Sequence, residues 1–173
     1  MELVIVLAIL AAVSGVLVPL FTGTLDTAHE VITKQSLVSA RDAMQQYWAD
    51  TKHVTLDGIV SVATEANRFD LDWLFANPVT GDDTIDFSLN TRIGWRGPYL
   101  LASTGDAAVA GNPYLIDAWN GTIVTQEATA VAGDVRIISP GPDGVVSIPI
   151  ATATDALTLS DIGDDIYVAL QLR

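Results

Sequence analysis

The chain has 173 residues, 8 Lys and Arg against 21 Asp and Glu, and a formal net charge of −13. Its length fits one domain, and with half of the residues hydrophobic and 17% charged a packed core is expected rather than disorder. The negative charge repels phosphate backbones and excludes nucleic acid as a partner, while the lack of cysteine excludes a disulfide framework, a thiolate metal site and a Cys nucleophile.

Leu3 to Phe21 is a run of nineteen residues without a charge, long enough to cross a bilayer as a helix. No Lys or Arg precedes Lys34. The run therefore reads as a retained anchor and not as a signal peptide, which needs a basic start and a small-residue cleavage site. Glu2 at its head has two readings: a carboxylate favoured by the dipole of the first helical turn, or one that needs a cationic partner in a low-dielectric setting. Pro19, with Ser14, Gly15 and Gly23 nearby, predicts a kink or a melted turn between Ser14 and Gly23. Beyond Gly23 the pattern turns amphipathic. Leu37, Ala40, Met44, Tyr47 and Trp48 recur at three- and four-residue spacings, with Lys34, Gln35, Arg41, Asp42 and Gln45 between them. One helix from Glu2 to about Ala49 would be roughly 70 Å long, its second half laid on a soluble domain.

Thr55 or Asp57 is a start for a second helical segment. Asp70 starts a short one through Leu71, Trp73, Leu74 and Phe75, stopped by Asn77-Pro78. After Gly81 the texture changes to turns and short strands: Tyr114 to Trp119 and Thr122 to Thr125 flank Asn120-Gly121, a type I′ hairpin signal. Asp134 to Ser139 and Asp165 to Leu172 predict further strands. The fold class is α+β: a long N-terminal helix, transmembrane then amphipathic, packed on a small antiparallel sheet with long loops. Residues 1–23 form the hydrophobic helix, 24–50 its amphipathic continuation, and 51–173 a globular head with an acidic C-terminal loop and strands.

Glu2 leading Leu3-Val4-Ile5-Val6-Leu7-Ala8-Ile9-Leu10, with Pro19 seventeen residues on, resembles the N-terminal segment of type IV pilins and of type II secretion pseudopilins. Gly94-Trp95-Arg96-Gly97-Pro98-Tyr99-Leu100, then Asn112-Pro113-Tyr114 with Asp117-Ala118-Trp119, then Ser139-Pro140-Gly141-Pro142-Asp143-Gly144 and Asp164-Asp165-Ile166, resemble elements of the major pseudopilin. The Asn-Pro-Tyr and Asp-Ala-Trp elements are exchanged relative to its usual order, and 51–93 is not covered. The lack of cysteine also favours the pseudopilin side, because many type IV pilins staple their C-terminal loop with a disulfide. The resemblance implies a structural subunit, held in the inner membrane by its N-terminal helix with the head outside the cytoplasm. Secretion or pilus assembly machinery then adds it to a helical filament of copies of itself, a periplasmic pseudopilus or an extracellular type IV pilus. Glu2 and Pro19 are the assembly residues it implies. The alternative from a different class is a monomeric membrane-anchored module that binds calcium or an extracellular ligand.

Between Ser139 and Asp165 stand five aspartates, Asp143, Asp155, Asp161, Asp164 and Asp165, and no Lys or Arg. Such a cluster repels itself unless solvated or neutralised, and calcium takes six to eight hard oxygen ligands from carboxylates, carbonyls and water. Related pseudopilins bind calcium in the corresponding loop. By motif the resemblance maps its ligands onto Asp143 and onto Asp164 or Asp165, with Asp161 a further candidate. The other reading is an acidic loop whose carboxylates face water.

Nothing selects a catalytic constellation. His29 and His53 stand alone, and no nucleophile elbow, zinc-protease motif or phosphate-binding glycine loop accompanies them. Trp95, Tyr99, Tyr114 and Trp119 suit a sugar platform or, as aromatics more often do, core and loop anchoring. Asn120-Gly121-Thr122 has the form of a glycosylation sequon, and a hairpin turn explains it equally.

Overall fold

The computed structural model of the chain describes residues 2–51, 71–75, 87–90, 92–101, 115–131 and 133–170, with side chains for all of these except 2 and 16–22. The first element, α1, is a single α-helix over Glu2–Thr51, about 75 Å long at 1.5 Å per residue. Its head-bearing half follows the expected stripe. Thr33, Leu37, Ala40, Met44, Tyr47 and Thr51, spaced alternately by four and three, are all buried, and so is Trp48. Its other half has no such partner among the described residues: Leu3, Val4, Ile5, Val6, Leu7, Ile9, Leu10 and Val13 are 47–73% exposed.

The melted turn expected between Ser14 and Gly23 is absent, because the helical backbone runs unbroken through Pro19. A proline lacks one donor, whereas melting a turn would open several hydrogen bonds and require a second nucleation. Two hydroxyls bond back inside the helix on either side, Ser14 Oγ to the Leu10 carbonyl at 2.8 Å and Thr27 Oγ1 to the Gly23 carbonyl at 3.0 Å. Among the described residues no helix is long and apolar enough to cross a membrane. The described apolar side chains from Leu3 to Gly15 cover about 20 Å of axis.

The head is built on a three-stranded antiparallel sheet in chain order, β1 (Val124–Glu127), β2 (Val135–Ser139) and β3 (Ile166–Leu170). Val124 pairs with Ile138, and Val135 with Leu170. The α+β class, the N-terminal helix and the antiparallel sheet are therefore as the sequence predicts. A 3-10 turn over Leu71–Leu74 stands where a short helix from Asp70 is expected. The segment expected to begin at Thr55 or Asp57, together with Tyr114, His53 and Asn112-Pro113, lies outside the described residues.

All of β2 is buried, and alternation divides it between two environments. Val135 and Ile137, with Leu170 and Ile123, meet Leu37, Ala40, Met44, Tyr47 and Trp48 of α1 and the Leu71–Leu74 turn in one cluster. The Gly94–Leu100 segment closes the far end of that cluster. The Gly94 N–H donates to the Asp50 carbonyl, and the Trp95 indole N–H to the Trp73 carbonyl at 2.9 Å. Tyr99 stands edge-on to Tyr47 with ring centroids 5.8 Å apart.

The opposite face of β2 carries Arg136 and Ile138, both fully buried, beneath the chain that connects β2 to β3. Arg136 Nε donates to Gln126 Oε1 at 2.8 Å, Nη1 to the Thr152 carbonyl at 2.9 Å and Nη2 to the Pro149 carbonyl at 2.8 Å. Beside it the Thr154 N–H donates to Asp134 Oδ2 at 2.6 Å. Burial pulls the guanidinium pKa down, opposed by the Asp134 charge. Arg136 thus clamps the connection by its carbonyls.

Charged donors contribute about 1.5–3 kcal/mol per hydrogen bond, but removing the guanidinium also relieves a desolvation cost of several kcal/mol. Arg136→Met is therefore expected to cost about 2 kcal/mol by denaturant unfolding and, more specifically, to speed amide exchange across 148–154. Unchanged exchange there would show that the clamp is not what holds the connection.

Candidate functional site

The acidic turn sits where β2 leaves the sheet and β3 re-enters it. After Ser139 and Pro140 a 3-10 turn over Gly141–Asp143 ends at Gly144, in the left-handed region at φ 72°. Gly141 is at φ 64°, and a Cβ there would lie 2.3 Å from the Asp164 carbonyl oxygen. Only glycine allows the two ends of the loop to approach this closely.

Three of the four predicted metal residues meet at this junction. Asp164 Oδ2 accepts the Asp143 N–H at 3.1 Å, and Asp143 Oδ1 accepts the Val145 N–H at 2.7 Å. Asp165 is buried, 5% exposed, with Oδ2 accepting the Ser147 and Ile148 N–H groups at 2.7 and 2.9 Å. Its Oδ1 is buried with no hydrogen-bond partner. Burial pushes its carboxyl above the usual carboxylate range; the two backbone donors oppose the shift, and the Asp164 and Asp143 charges add to it.

Asp161 is used differently. It forms a capping box with Thr158 on the short helix α2 (Leu159–Ile162), and the Thr158 hydroxyl and amide hold its carboxyl below the ordinary range. Among the described residues no group of three or more His, Cys, Asp or Glu side chains is arranged to hold a metal ion. Glu2 opens α1 and Pro19 lies within it, far along the chain from this junction, and their side chains are outside those described.

Sequence reasoning missed the residue that positions the turn. Asp117, 6% exposed, accepts the Trp119 and Gly121 N–H groups on Oδ1 at 2.9 and 2.7 Å, and the Ser139 hydroxyl on Oδ2 at 2.6 Å. Ser139 Oγ in turn accepts the Gly141 N–H at 3.2 Å. One carboxylate therefore ties the 116–122 hairpin to the end of β2 and so to the acidic turn.

It also overrides the expected type I′ turn. The Asn120 N–H donates to the Asp117 carbonyl and the Asp117 N–H to the Gly121 carbonyl, and Asn120 is in the left-handed region at φ 70°. That is the three-residue loop closed by one left-handed residue. The hairpin rests on α1 through the Ala118 N–H, which donates to Thr33 Oγ1 at 3.1 Å, and through Trp119, edge-on to His29 at 5.6 Å. Trp95, Tyr99 and Trp119 thus serve as packing anchors.

No family model, curated protein or solved structure matches the chain. What the site can do follows from its own chemistry: it gathers carboxylates and backbone donors.

A folded-state pKa raised above the unfolded value of about 3.9 means that Asp165 favours folding when protonated and loses that contribution as pH rises through the raised pKa. Without divalent ions, the Tm of Asp165→Asn relative to the unsubstituted chain is expected to climb as pH goes from 4 to 7. A difference that stays flat or falls with pH would contradict the raised value.

Proposed function

We propose that this chain is a pilin-like structural subunit, held in a membrane by its N-terminal helix and polymerised into a helical filament, a type II secretion pseudopilus or a type IV pilus. The observation that carries the reading is the N-terminal part of α1, where eight large apolar residues are 47–73% exposed ahead of His29, which meets Trp119 of the head. Burying each is favourable by about 1.5–3 kcal/mol, and a contiguous patch of this kind marks a surface that lipid or other protein covers. Glu2 ahead of the apolar run and Pro19 within it, the marks of the pilin resemblance, support the same reading. The subunit adds head-to-tail by a heterologous contact that does not close.

Calcium belongs to this proposal as a structural ion in the acidic turn. What favours it is the buried Oδ1 of Asp165, which has no hydrogen-bond partner and on which the Asp164 and Asp143 charges act. Asp143 and Asp164 are the other carboxylates that would hold it, with carbonyls and water completing a shell of hard oxygens. Its chemistry there is charge neutralisation.

Electron microscopy of the purified full-length chain tests the assembly. Filaments are expected, with Glu2 neutralised in them by a terminal amine, its own or a neighbour's, and Glu2→Ala is expected to lower their yield about tenfold or more while leaving the Tm of the head unchanged, since it leaves that amine buried without its partner. Only monomers, under conditions that keep the head folded, would overturn the proposal in favour of the monomeric anchored module. For calcium, the expected outcome is a Tm higher than in chelator. At free calcium a hundredfold above Kd the gain is about 2.7 kcal/mol, and Asp143→Ala should remove most of it. Equal Tm values in calcium and chelator would return these aspartates to the solvated loop.

A further inference from the structure

We infer that Asn120-Gly121 is a site of spontaneous backbone modification that the fold keeps shielded, the Asp117 carboxylate withholding the Gly121 nitrogen from the Asn120 side chain. The chemistry needs only water. The Gly121 nitrogen, having given its proton to solvent, attacks Cγ of Asn120. The new N–C bond expels the side-chain nitrogen, which takes up a proton and leaves as ammonia, and a five-membered succinimide remains. Water then opens the ring at one of its two carbonyls, giving aspartate or an isoaspartate whose main chain runs through the former side chain. Asparagine before glycine is the pair most open to this reaction in an unfolded chain, because glycine has no Cβ to hinder the approach of its nitrogen.

The turn needs both residues of the pair. Asn120 is exposed and at φ 70°, in the left-handed region that asparagine enters more readily than most residues with a side chain. A Cβ at position 121 would lie 2.6 Å from Pro140 Cγ and 2.8 Å from Asp117 Oδ2. A bulkier residue there, which would slow the reaction, would displace the contacts that set the turn.

Asp117 removes the attacking nitrogen from play. Its Oδ1 accepts the Gly121 N–H at 2.7 Å and the Trp119 N–H at 2.9 Å, so the N–H groups of both neighbours of Asn120 end on one oxygen. To cyclise, the Gly121 nitrogen must leave a charge-assisted hydrogen bond. The negative charge beside it disfavours the amide anion that attacks, and a carboxylate is too weak a base to take the amide proton itself. The Asp117 N–H to the Gly121 carbonyl and the Ile123 N–H to the Leu115 carbonyl, both 2.8 Å, hold the loop closed around the pair. Isoaspartate at position 120 would add a methylene to this closed loop and keep the hairpin from settling again on Thr33, where the Ala118 N–H now donates. The site therefore makes an opening of the hairpin irreversible.

Peptide mapping by mass spectrometry of the full-length chain, kept folded in mildly alkaline buffer, measures the conversion, and the same chain in urea gives the unshielded rate. The folded chain is expected to convert Asn120 far more slowly than the chain in urea. Asp117→Ala is expected to speed conversion in the folded chain about tenfold or more, the factor carried by a single hydrogen bond to a charged acceptor. Asp117→Asn, which keeps the shape and loses the charge, should fall between. Ser139→Ala removes the hydroxyl from Oδ2 and leaves Oδ1 as it is, and Thr33→Val loosens the hairpin from α1 without touching Asp117. Both should leave the rate nearly unchanged. A folded chain that converts Asn120 as fast as the chain in urea, or an Asp117→Ala rate equal to that of the unsubstituted chain, overturns the inference. If Thr33→Val speeds conversion as much as Asp117→Ala, the seat of the hairpin on α1 is the shield in place of the carboxylate, and the inference falls as well. Should Asp117→Ala fail to fold, Asp117→Asn against Ser139→Ala decides, and equal rates in those two overturn it.

Discussion

The contact on which the rest of the head depends is the stripe from Thr33 to Thr51 laid against β2 and β3. A three-stranded sheet has little stability alone. With its central strand against a helix on one side, it needs a cover on the other, because all five residues of β2 are buried. The long connection from β2 to β3 supplies that cover, and Arg136 fastens it through the Pro149 and Thr152 carbonyls. The path of the connection then brings both of its ends together at Gly141 and Asp164. The acidic turn is in this sense a product of the helix contact, transmitted through the sheet.

The parts that were legible in the sequence are those set by period. Leu37, Ala40, Met44, Tyr47 and Trp48 announce a buried helical stripe by spacing alone, and Val135-Arg136-Ile137-Ile138 announces a strand by its β-branched residues. The misreadings share a physical cause, which is that one side chain can overrule a local rule. Asn120-Gly121 has the two-residue hairpin signal, yet the Asp117 carboxylate captures the Trp119 and Gly121 N–H groups and selects a three-residue loop. Pro19 reads as a helix breaker, yet it lacks one hydrogen-bond donor in a helix of 50 residues. Arg136 is a lone charge among apolar strand residues, and nothing local in the sequence tells that the loop thirteen residues on folds over it. Asp161 had a signal that was passed over: Thr158, three residues before it, makes a capping pair.

The distribution of charge explains why the acidic turn differs from the remainder of the head. Between Gly97 and Gln171 Arg136 is the sole basic residue of the sequence, against a run of aspartates, and it is buried on carbonyls rather than carboxylates. The acids of this half are therefore satisfied by donors other than Lys or Arg. Asp117 takes two backbone N–H groups and a hydroxyl, Asp134 takes the Thr154 N–H, and Asp161 caps a helix. Hydrogen bonds of this kind stabilise a carboxylate without a counter-ion, provided that both oxygens find donors or water. Asp165 meets that condition on Oδ2 and fails it on Oδ1, with Asp164 and Asp143 adding charge of the same sign. No protein donor reaches that oxygen among the described residues, so a proton, a water molecule or a cation is what could complete it, and each would act where the two ends of the loop are joined.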